Sequence, residues 1–505
     1  MMDLKDLRKI LVANRGEIAL RIMRTIREMG KKSVSIYSEV DAALPFARYS
    51  DEAYPLRGKE ARDTYLNMER IVSIAKDAGV EAIHPGYGFL SENAEFARMV
   101  EDAGIVFVGP KPETIGLMGD KTEARKLVAG YGVPVVPGAS EPVRELSEAS
   151  RIADEVGYPV LIKAAAGGGG KGMRLVHDPG ELEAALRAAR SESKSAFGDD
   201  RVFIEKYISN PRHIEFQILA DNYGKVVHLF ERECSIQRRH QKVVEETPSV
   251  ALTSSLRDEM SKAAVDAARA CGYRNAGTVE FILSEGNKYY FLEMNTRLQV
   301  EHPITELTVG VDIVREQIRI AEGQRLGLDQ ERIFRRGHAI ECRIYAEDVF
   351  GNFYPDTGTI RVMREPAGPG VRVDSGIESG NELSVYYDSM IAKLSVWDTD
   401  RNGAIRRMRR ALEDYVIAGV KTTIPFCRFV MESDDFKLGD YSTHFVENQW
   451  PSGKRTLAEE NDKDLQDALI LASVALEKRR NRSDNLAGSD TARLDRAWLH
   501  KRFED

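Results

Sequence analysis

Short apolar runs alternate with stretches carrying apolar residues every three to four positions along the first part of the chain. Lys9-Ile10-Leu11-Val12-Ala13 has the pattern of a buried strand, and Asn14-Arg15-Gly16-Glu17 turns into a helix over Ile18–Met29. Ser33–Tyr37 is the next strand. A helix near Tyr65–Ala78, a short strand at Ala82-Ile83, a helix near Asn93–Ala103 and a strand at Ile105–Val108 follow. This alternation predicts a parallel, doubly wound sheet. Such sheets bind ligands beyond the C-terminal ends of their strands. Asn14–Glu17 and His84-Pro85-Gly86-Tyr87-Gly88-Phe89 fall at two of those ends.

The pattern then changes. Val135–Tyr207 reads as a small α/β lobe between glycine- and proline-bearing connections. Ile214–Ala220 and Lys225–Phe230 flank Asp221-Asn222-Tyr223-Gly224, a hairpin turn. Gly277–Leu283 and Lys288–Met294 read as another antiparallel pair. From Gly337 to about Trp450, short strands precede helices. Near the end, Leu465, Leu469, Ala472 and Leu476 mark an amphipathic helix, which either packs on its own domain or contacts another subunit.

A chain of 505 residues is expected to form several domains. With 42% apolar and 30% charged residues it has the composition of a soluble globular protein. A net charge of −8 argues against a general nucleic-acid binder. Cys234, Cys271, Cys342 and Cys427 lack CxxC spacing and read as reduced thiols in a cytoplasm-like compartment. Neither a membrane span nor a signal peptide is expected.

Candidate chemistry concentrates in four places. Glu293-Met294-Asn295-Thr296-Arg297 follows the apolar run Tyr289–Leu292. On a strand, Glu293, Asn295 and Arg297 share a face, and Gln299 and Glu301 join them if the strand continues. Hard oxygen ligands beside a guanidinium suit Mg²⁺ and an anion. Lys163 ends another apolar strand and leads into Gly167–Gly170, whose exposed N–H groups can close over phosphates. Between apolar strands, Glu231–Glu246 packs ten ionisable side chains into sixteen positions, including Gln237-Arg238-Arg239-His240-Gln241-Lys242. Glu280 interrupts the apolar strand Thr278–Ile282, and a carboxylate buried there needs a partner or a metal.

Nine ordered motifs together resemble the biotin carboxylase family of ATP-grasp ligases. They are ANRGEIA (Ala13–Ala19), HPGYGFLSEN (His84–Asn93), MGDK (Met118–Lys121), KAAAGGGGKGM (Lys163–Met173), EKY (Glu205–Tyr207), NPRHIEFQ (Asn210–Gln217), ERECSIQRRHQKVVEE (Glu231–Glu246), EMNTRLQVEHPITE (Glu293–Glu306) and GHAIECRIYAED (Gly337–Asp348). Ala165 stands where many relatives carry a small hydroxyl residue. The resemblance implies an α/β protein with three parts. An N-terminal doubly wound parallel sheet (1–115) precedes an ATP-grasp region (116–323) with a mobile glycine-loop lid (135–207). A C-terminal α+β carboxylase domain (324–450) and a helical extension (451–505) follow.

It also implies roles. Lys121, Lys163, His213, Gln237, His240, Met173 and the glycines Gly168, Gly169 and Gly170 would serve the nucleotide. Glu205 and the backbone of Lys206, Tyr207 and Ile208 would take its adenine end. Glu280, Glu293 and Asn295 would hold two Mg²⁺ or Mn²⁺ ions. Lys242, Arg297, Gln299 and Val300 would hold bicarbonate, with Glu301 as general base. Arg343 would stabilise the biotin enolate, and Tyr87 and Gly88 would line the mouth. ATP would phosphorylate bicarbonate, and the carboxyl group would pass to biotin on a separate carrier protein. The chain shows no Ala-Met-Lys-Met sequence and no transferase-sized region after Trp450. The expected partners are therefore a biotin carboxyl carrier protein and a carboxyltransferase subunit of an acetyl-CoA, acyl-CoA or pyruvate carboxylase. The expected assembly is a homodimer or larger complex in the cytoplasm, with no nucleic acid and no membrane. Two rivals share part of the pattern. Another ATP-grasp ligase should lack the Arg297/Lys242/Arg343 set, and a non-catalytic regulator would bind ATP without turnover.

Overall fold

The computed structural model describes residues 4–139, 141–164, 173–197, 200–239 and 241–450. The predicted tail helix at Leu465–Leu476 lies outside the described residues.

The N-terminal strands form a five-stranded parallel sheet in the order Glu52–Pro55, Lys32–Tyr37, Lys9–Val12, Ala82–His84, Val106–Phe107. The edge strand Glu52–Pro55 was not expected. It is short and half-exposed, and pairing with Val34–Tyr37 rather than its own pattern makes it a strand. Helices Gly16–Glu28, Met68–Asp77 and Ala94–Asp102 turn their apolar residues inward. Because Lys9–Val12 and Ala82–His84 are neighbours, the two loops beyond them meet. The Asn14 side-chain amide donates to the Pro85 and Tyr87 carbonyls, both at 2.7 Å. Gly86 has φ +65°, and a Cβ there would lie 2.9 Å from Asn14 Nδ2, so only glycine fits this junction.

The larger sheet has eight strands, all paired antiparallel. Their order is Tyr289–Asn295, Asn275–Leu283, Arg212–Ala220, Val226–Arg238, Gln241–Thr247, His338–Tyr345, Met390–Asp398, Val371–Ser375. Both predicted hairpins are present. The sheet runs without a break across residue 324, joined where Gln241–Thr247 pairs with His338–Tyr345. One face is apolar. Phe281 stands edge-on to Phe216 and Phe291, with centroids 6.1 and 6.5 Å apart, and helix Ser254–Ala270 covers the cluster with Leu256, Met260 and Ala264. Each fully buried ring contributes about 1.5–3 kcal/mol. The opposite face carries the charged residues.

Residues 141–206 include a separate three-stranded sheet, in the order Arg174–Val176, Val160–Ala164, Val202–Lys206. Helices Leu146–Val156 and Leu182–Phe197 pack on it around Ile152, Val160, Ile162, Val176 and Ile204.

Glu246 fastens the C-terminal part to the large sheet. It accepts from His338 Nε2 at 2.6 Å, from Arg401 at 2.7 and 3.0 Å, and from the Tyr441 hydroxyl. Burial alone would raise its pKa, but the bonds and charges of His338 and Arg401 hold it down at about 2. Glu246→Gln should destabilise the protein by about 3 kcal/mol in urea titrations at neutral pH. A depressed carboxyl stabilises fully above its unfolded value of 4.5. The gap between wild type and variant should therefore narrow as the pH falls from there toward 2.

Candidate active site

A cavity of about 1440 Å³ opens between the tips of the N-terminal sheet, the lobe and the charged face of the large sheet. At one end, Leu161, Met173, Phe203, Ile208 and Leu292 make an apolar slot beside Lys163, Glu205 and Tyr207. Glu205 is buried and accepts from Lys163 Nζ at 2.6 Å and from Arg125. These two cations outweigh burial and lower its pKa. The Lys206 side chain turns away into the lobe, donating to the Gly157 and Tyr158 carbonyls at 2.9 and 3.0 Å. Only its backbone is therefore available in the way the resemblance implies. A flat apolar slot leading to lysines suits a heteroaromatic ring followed by phosphates. Gly168, Gly169, Gly170 and His240 lie outside the described residues.

Midway along the cavity, Glu280 and Glu293 are direct cross-strand partners, with Asn295 two residues further on. A register shift between Glu280 and Phe281 breaks the simple alternation of the second strand. Tyr289, Phe291 and Met294 consequently pack in the apolar core while Glu293 and Asn295 line the cavity. Burial and the neighbouring Glu280 charge raise the Glu293 pKa, and Lys121, at 3.7 Å, opposes this only in part. Glu293, so weakly compensated, faces Glu280 beside the Asn295 amide, and this set fits a divalent cation. Glu280 itself is more crowded. His213 Nε2 lies 2.9 Å away, and Asn295, Gln299 and Lys242 donate to it at 2.8, 3.0 and 3.1 Å. Despite burial, Lys242 and His213 hold it ionised. Gln237 Nε2 lies 3.1 Å from His213 Nδ1 and so orients that ring.

The strand does not continue to Glu301. It stops at Asn295, and Glu301 immediately precedes helix His302–Val309. Gln299 and Glu301 reach the site from this connection, and strand alternation does not place them. Two elements pin the connection. Glu92 accepts from Thr296 N at 3.0 Å and from Arg297 Nε at 2.8 Å. On the other side, the fully buried Lys393 donates to the Val300 carbonyl at 3.1 Å and pairs with Glu17 at 3.1 Å. Arg297 further donates to Asn295 and Gln299, both at 2.8 Å.

Glu301 is 0% exposed and lies behind the cavity wall. Lys242 Nζ is 2.6 Å from one oxygen and Arg343 NH2 is 2.9 Å from the other. Burial would raise its pKa, but Lys242, Arg343 and Arg232 hold it well below the ordinary carboxylate range. Lys242 also pairs with Glu215, and Arg343 with Glu245 at 2.6 Å. Behind them, Arg232 is completely buried and donates to Glu215 at 2.5 Å and to Gln217 and Thr305 at 2.9 Å. Tyr87 and Gly88 line the same cavity, and the Tyr87 hydroxyl donates to Glu17.

The structure thus gathers all the described candidate residues at or directly behind one cavity. Sequence reasoning missed Glu215, Arg232, Glu245, Glu92 and Lys393. For Glu215 a signal existed, a lone carboxylate within the apolar run Ile214–Leu219, the same signal that singled out Glu280. Arg232 and Glu245 are submerged in the charge run, and Glu92 and Lys393 have no local mark.

Comparison with known proteins agrees with this geometry. Residues 6–115 match the family model of the biotin carboxylase N-terminal domain, and 341–448 that of the biotin carboxylase C-terminal domain. Residues 120–329 match the ATP-binding domain of the carbamoyl-phosphate synthase L chain. The chain is 52% identical to a biotin carboxylase of Nostoc, over 87% of this chain and 98% of that relative. It is 50% identical to biotin carboxylase 1 of Bacillus subtilis, over 87% of this chain and 98% of that one. Among solved structures, it resembles the biotin carboxylase domain dimer of Hydrogenobacter thermophilus 2-oxoglutarate carboxylase in complex with MgADP, ADP and bicarbonate. The TM-score is 0.84 at 50% identity, covering 90% of this chain and all of that one. With ordered motifs, a cavity that suits a nucleotide, a cation and an anion, and half-identical relatives over most of its length, the chain belongs to the biotin carboxylase family.

Proposed function

We propose that this protein carboxylates biotin held on a carrier protein, using ATP and bicarbonate and releasing ADP and phosphate. The observation that carries this reading is the Glu301 carboxylate held between Lys242 and Arg343, next to a cavity whose far end suits a nucleotide. A general base near two cations serves an anionic acid such as bicarbonate, and a plain nucleotide-binding regulator has no use for it. The Arg297/Lys242/Arg343 set also separates this chain from other ATP-grasp ligases.

In this reading the nucleotide lies in the apolar slot, with Lys121 and Lys163 toward its phosphates. Glu280, Glu293 and Asn295 would hold Mg²⁺ or Mn²⁺, which would supply charge neutralisation for phosphoryl transfer. Bicarbonate enters among Lys242, Arg297, Gln299 and the Val300 backbone, and competes for cations that now hold Glu301. Glu301 takes its proton as the oxygen attacks the γ-phosphorus, giving carboxyphosphate and ADP. Carboxyphosphate breaks into CO₂ and phosphate, and the phosphate removes the biotin N1′ proton. Arg343 then faces the enolate oxygen as electrostatic support, and N1′ bonds to CO₂. The lobe would cover the site and exclude water, which protects carboxyphosphate from hydrolysis.

Relatives include chains named as carboxylase subunits, and one similar structure is a dimer. We infer a carrier protein and a carboxyltransferase on other chains, with the biotin arm entering past Tyr87. The four cysteines are free, in keeping with a cytoplasmic site of action. No described helix is long and apolar enough to cross a membrane. We take the division at 115, 323 and 450, and a docking role for 451–505, as part of this proposal.

Glu301→Gln should lower ADP release from MgATP and bicarbonate by about 10²–10⁴-fold, with or without biotin. Arg343→Ala should abolish stimulation by free biotin while ADP release with bicarbonate alone persists. Wild-type ADP release that free biotin fails to stimulate would count against the reading. Chelation by EDTA should stop turnover reversibly. Glu293→Gln should need more Mg²⁺ for half-maximal rate, about tenfold for loss of one charged ligand.

A further inference from the structure

Two fully buried carboxyl groups in the sheet have no place in the reaction just described. Glu245 and Glu341 stand directly opposite each other where Gln241–Thr247 pairs with His338–Tyr345. They are 1% and 0% exposed. One oxygen of each is satisfied, Glu245 by Arg343 Nε at 2.6 Å and Glu341 by the Ser395 hydroxyl at 2.7 Å. The other two, Glu245 Oε2 and Glu341 Oε1, are buried without a hydrogen-bond partner among the described residues. Lys393, on the next strand, is engaged by Glu17 and the Val300 carbonyl. Two buried carboxylates directly opposite each other repel strongly, and a buried oxygen without a donor is costly. A single carboxyl proton between the two bare oxygens removes both problems, because a protonated carboxyl donates where a carboxylate can only accept.

We propose that Glu245 and Glu341 hold one proton between them, and that this pair positions the Arg343 guanidinium. The titration behaviour agrees. Burial and then the Glu245 charge push Glu341 well above the ordinary range. Burial pushes Glu245 up to about 7 against the pull of Arg343. The other charges facing the pair are Lys242 and Glu301 on one side and Lys393 on the other. His302, on the helix over this face, is kept neutral by burial and by Lys393. With the proton resting on Glu341, Glu245 presents a full negative charge to Nε, and Arg343 is held between Glu245 and Glu301. With Glu341 unable to donate, Glu245 has a bare oxygen and competes for the proton itself. Arg343 then loses one of its two anchors. Glu341 is thus a positioning residue acting through Glu245. The inference rests on the proposed role of Arg343 for its functional consequence, and on geometry alone for the proton.

The test has two arms on the full-length protein. A difference infrared spectrum, wild type minus Glu341→Gln at neutral pH, should show a protonated-carboxyl band that shifts in D₂O. Absence of that band overturns the shared proton. In the kinetic arm, Glu341→Gln restores a donor through its amide N–H and should keep kcat/KM for free biotin within about twofold. Glu341→Ala removes the donor and should lower that kcat/KM by about tenfold or more, with KM for ATP unchanged. Equal behaviour of the two variants overturns the positioning role. Should Glu341→Ala fail to fold, the infrared band and Glu341→Gln still decide, since a large loss of kcat/KM for biotin in the Gln variant contradicts the proposal. Arg343→Ala run in parallel separates the readings. If it loses biotin stimulation while the two Glu341 variants match each other, the positioning role alone is overturned.

Discussion

A buried line of alternating charge runs along the inner face of the large sheet, from Arg232 through Glu215, Lys242, Glu301 and Arg343 to Glu245. Single ions are expensive to take out of water, and here each has an opposite charge on either side or closes the line. Removing one member leaves its neighbour uncompensated, which typically costs about 3–5 kcal/mol. The line is therefore rigid, and its rigidity is useful. In the proposed reaction Lys242 and Arg343 would meet an incoming anion already oriented, so little reorganisation would be needed when charge develops.

That line depends on a sheet that continues between the two halves of the molecule. Lys242 and Glu245 come from one strand and Arg343 from the next, and Val244 opposite Cys342 sets their register. A slip of one residue between these strands would turn Arg343 to the other face of the sheet from Lys242 and Glu245. The connection carrying Arg297, Gln299, Val300 and Glu301 has no regular structure of its own until helix His302–Val309 begins. Its shape comes from outside, from Glu92 of the N-terminal part and from Lys393 of the C-terminal part. The proposed anion end of the cavity is thus assembled from three stretches of chain that are far apart in sequence.

The proposed cation site follows a different logic. Glu280 is tied down by His213, Lys242, Asn295 and Gln299, whereas Glu293 is half-exposed, raised in pKa and weakly countered by Lys121. One carboxylate is preset and the other is left for a cation to complete. This division keeps the protein stable without the cation while leaving it a favourable place to bind.

Local pattern was enough to place the parallel N-terminal sheet, both hairpins and the strand carrying Glu293 and Asn295, because apolar periodicity and turn residues act over a few positions. It was also enough to single out Glu280, since a carboxylate in an apolar strand must find a counter-charge or a cation. It failed at Glu52–Pro55, where a neighbour makes the strand, and at Glu301, where strand alternation was extended past its end. The bulge beside Glu280 was equally invisible, because which residue is squeezed out of a ladder depends on the partner strand. Arg232, Glu245, Glu92, Lys393 and Glu341 acquire meaning only from residues tens or hundreds of positions away. By itself, then, the sequence determined most of the elements, the family and most of the candidate groups that line the cavity. The tertiary structure decided which charges are paired, which are left open and which proton has to be shared, because burial and electrostatics depend on distance in space.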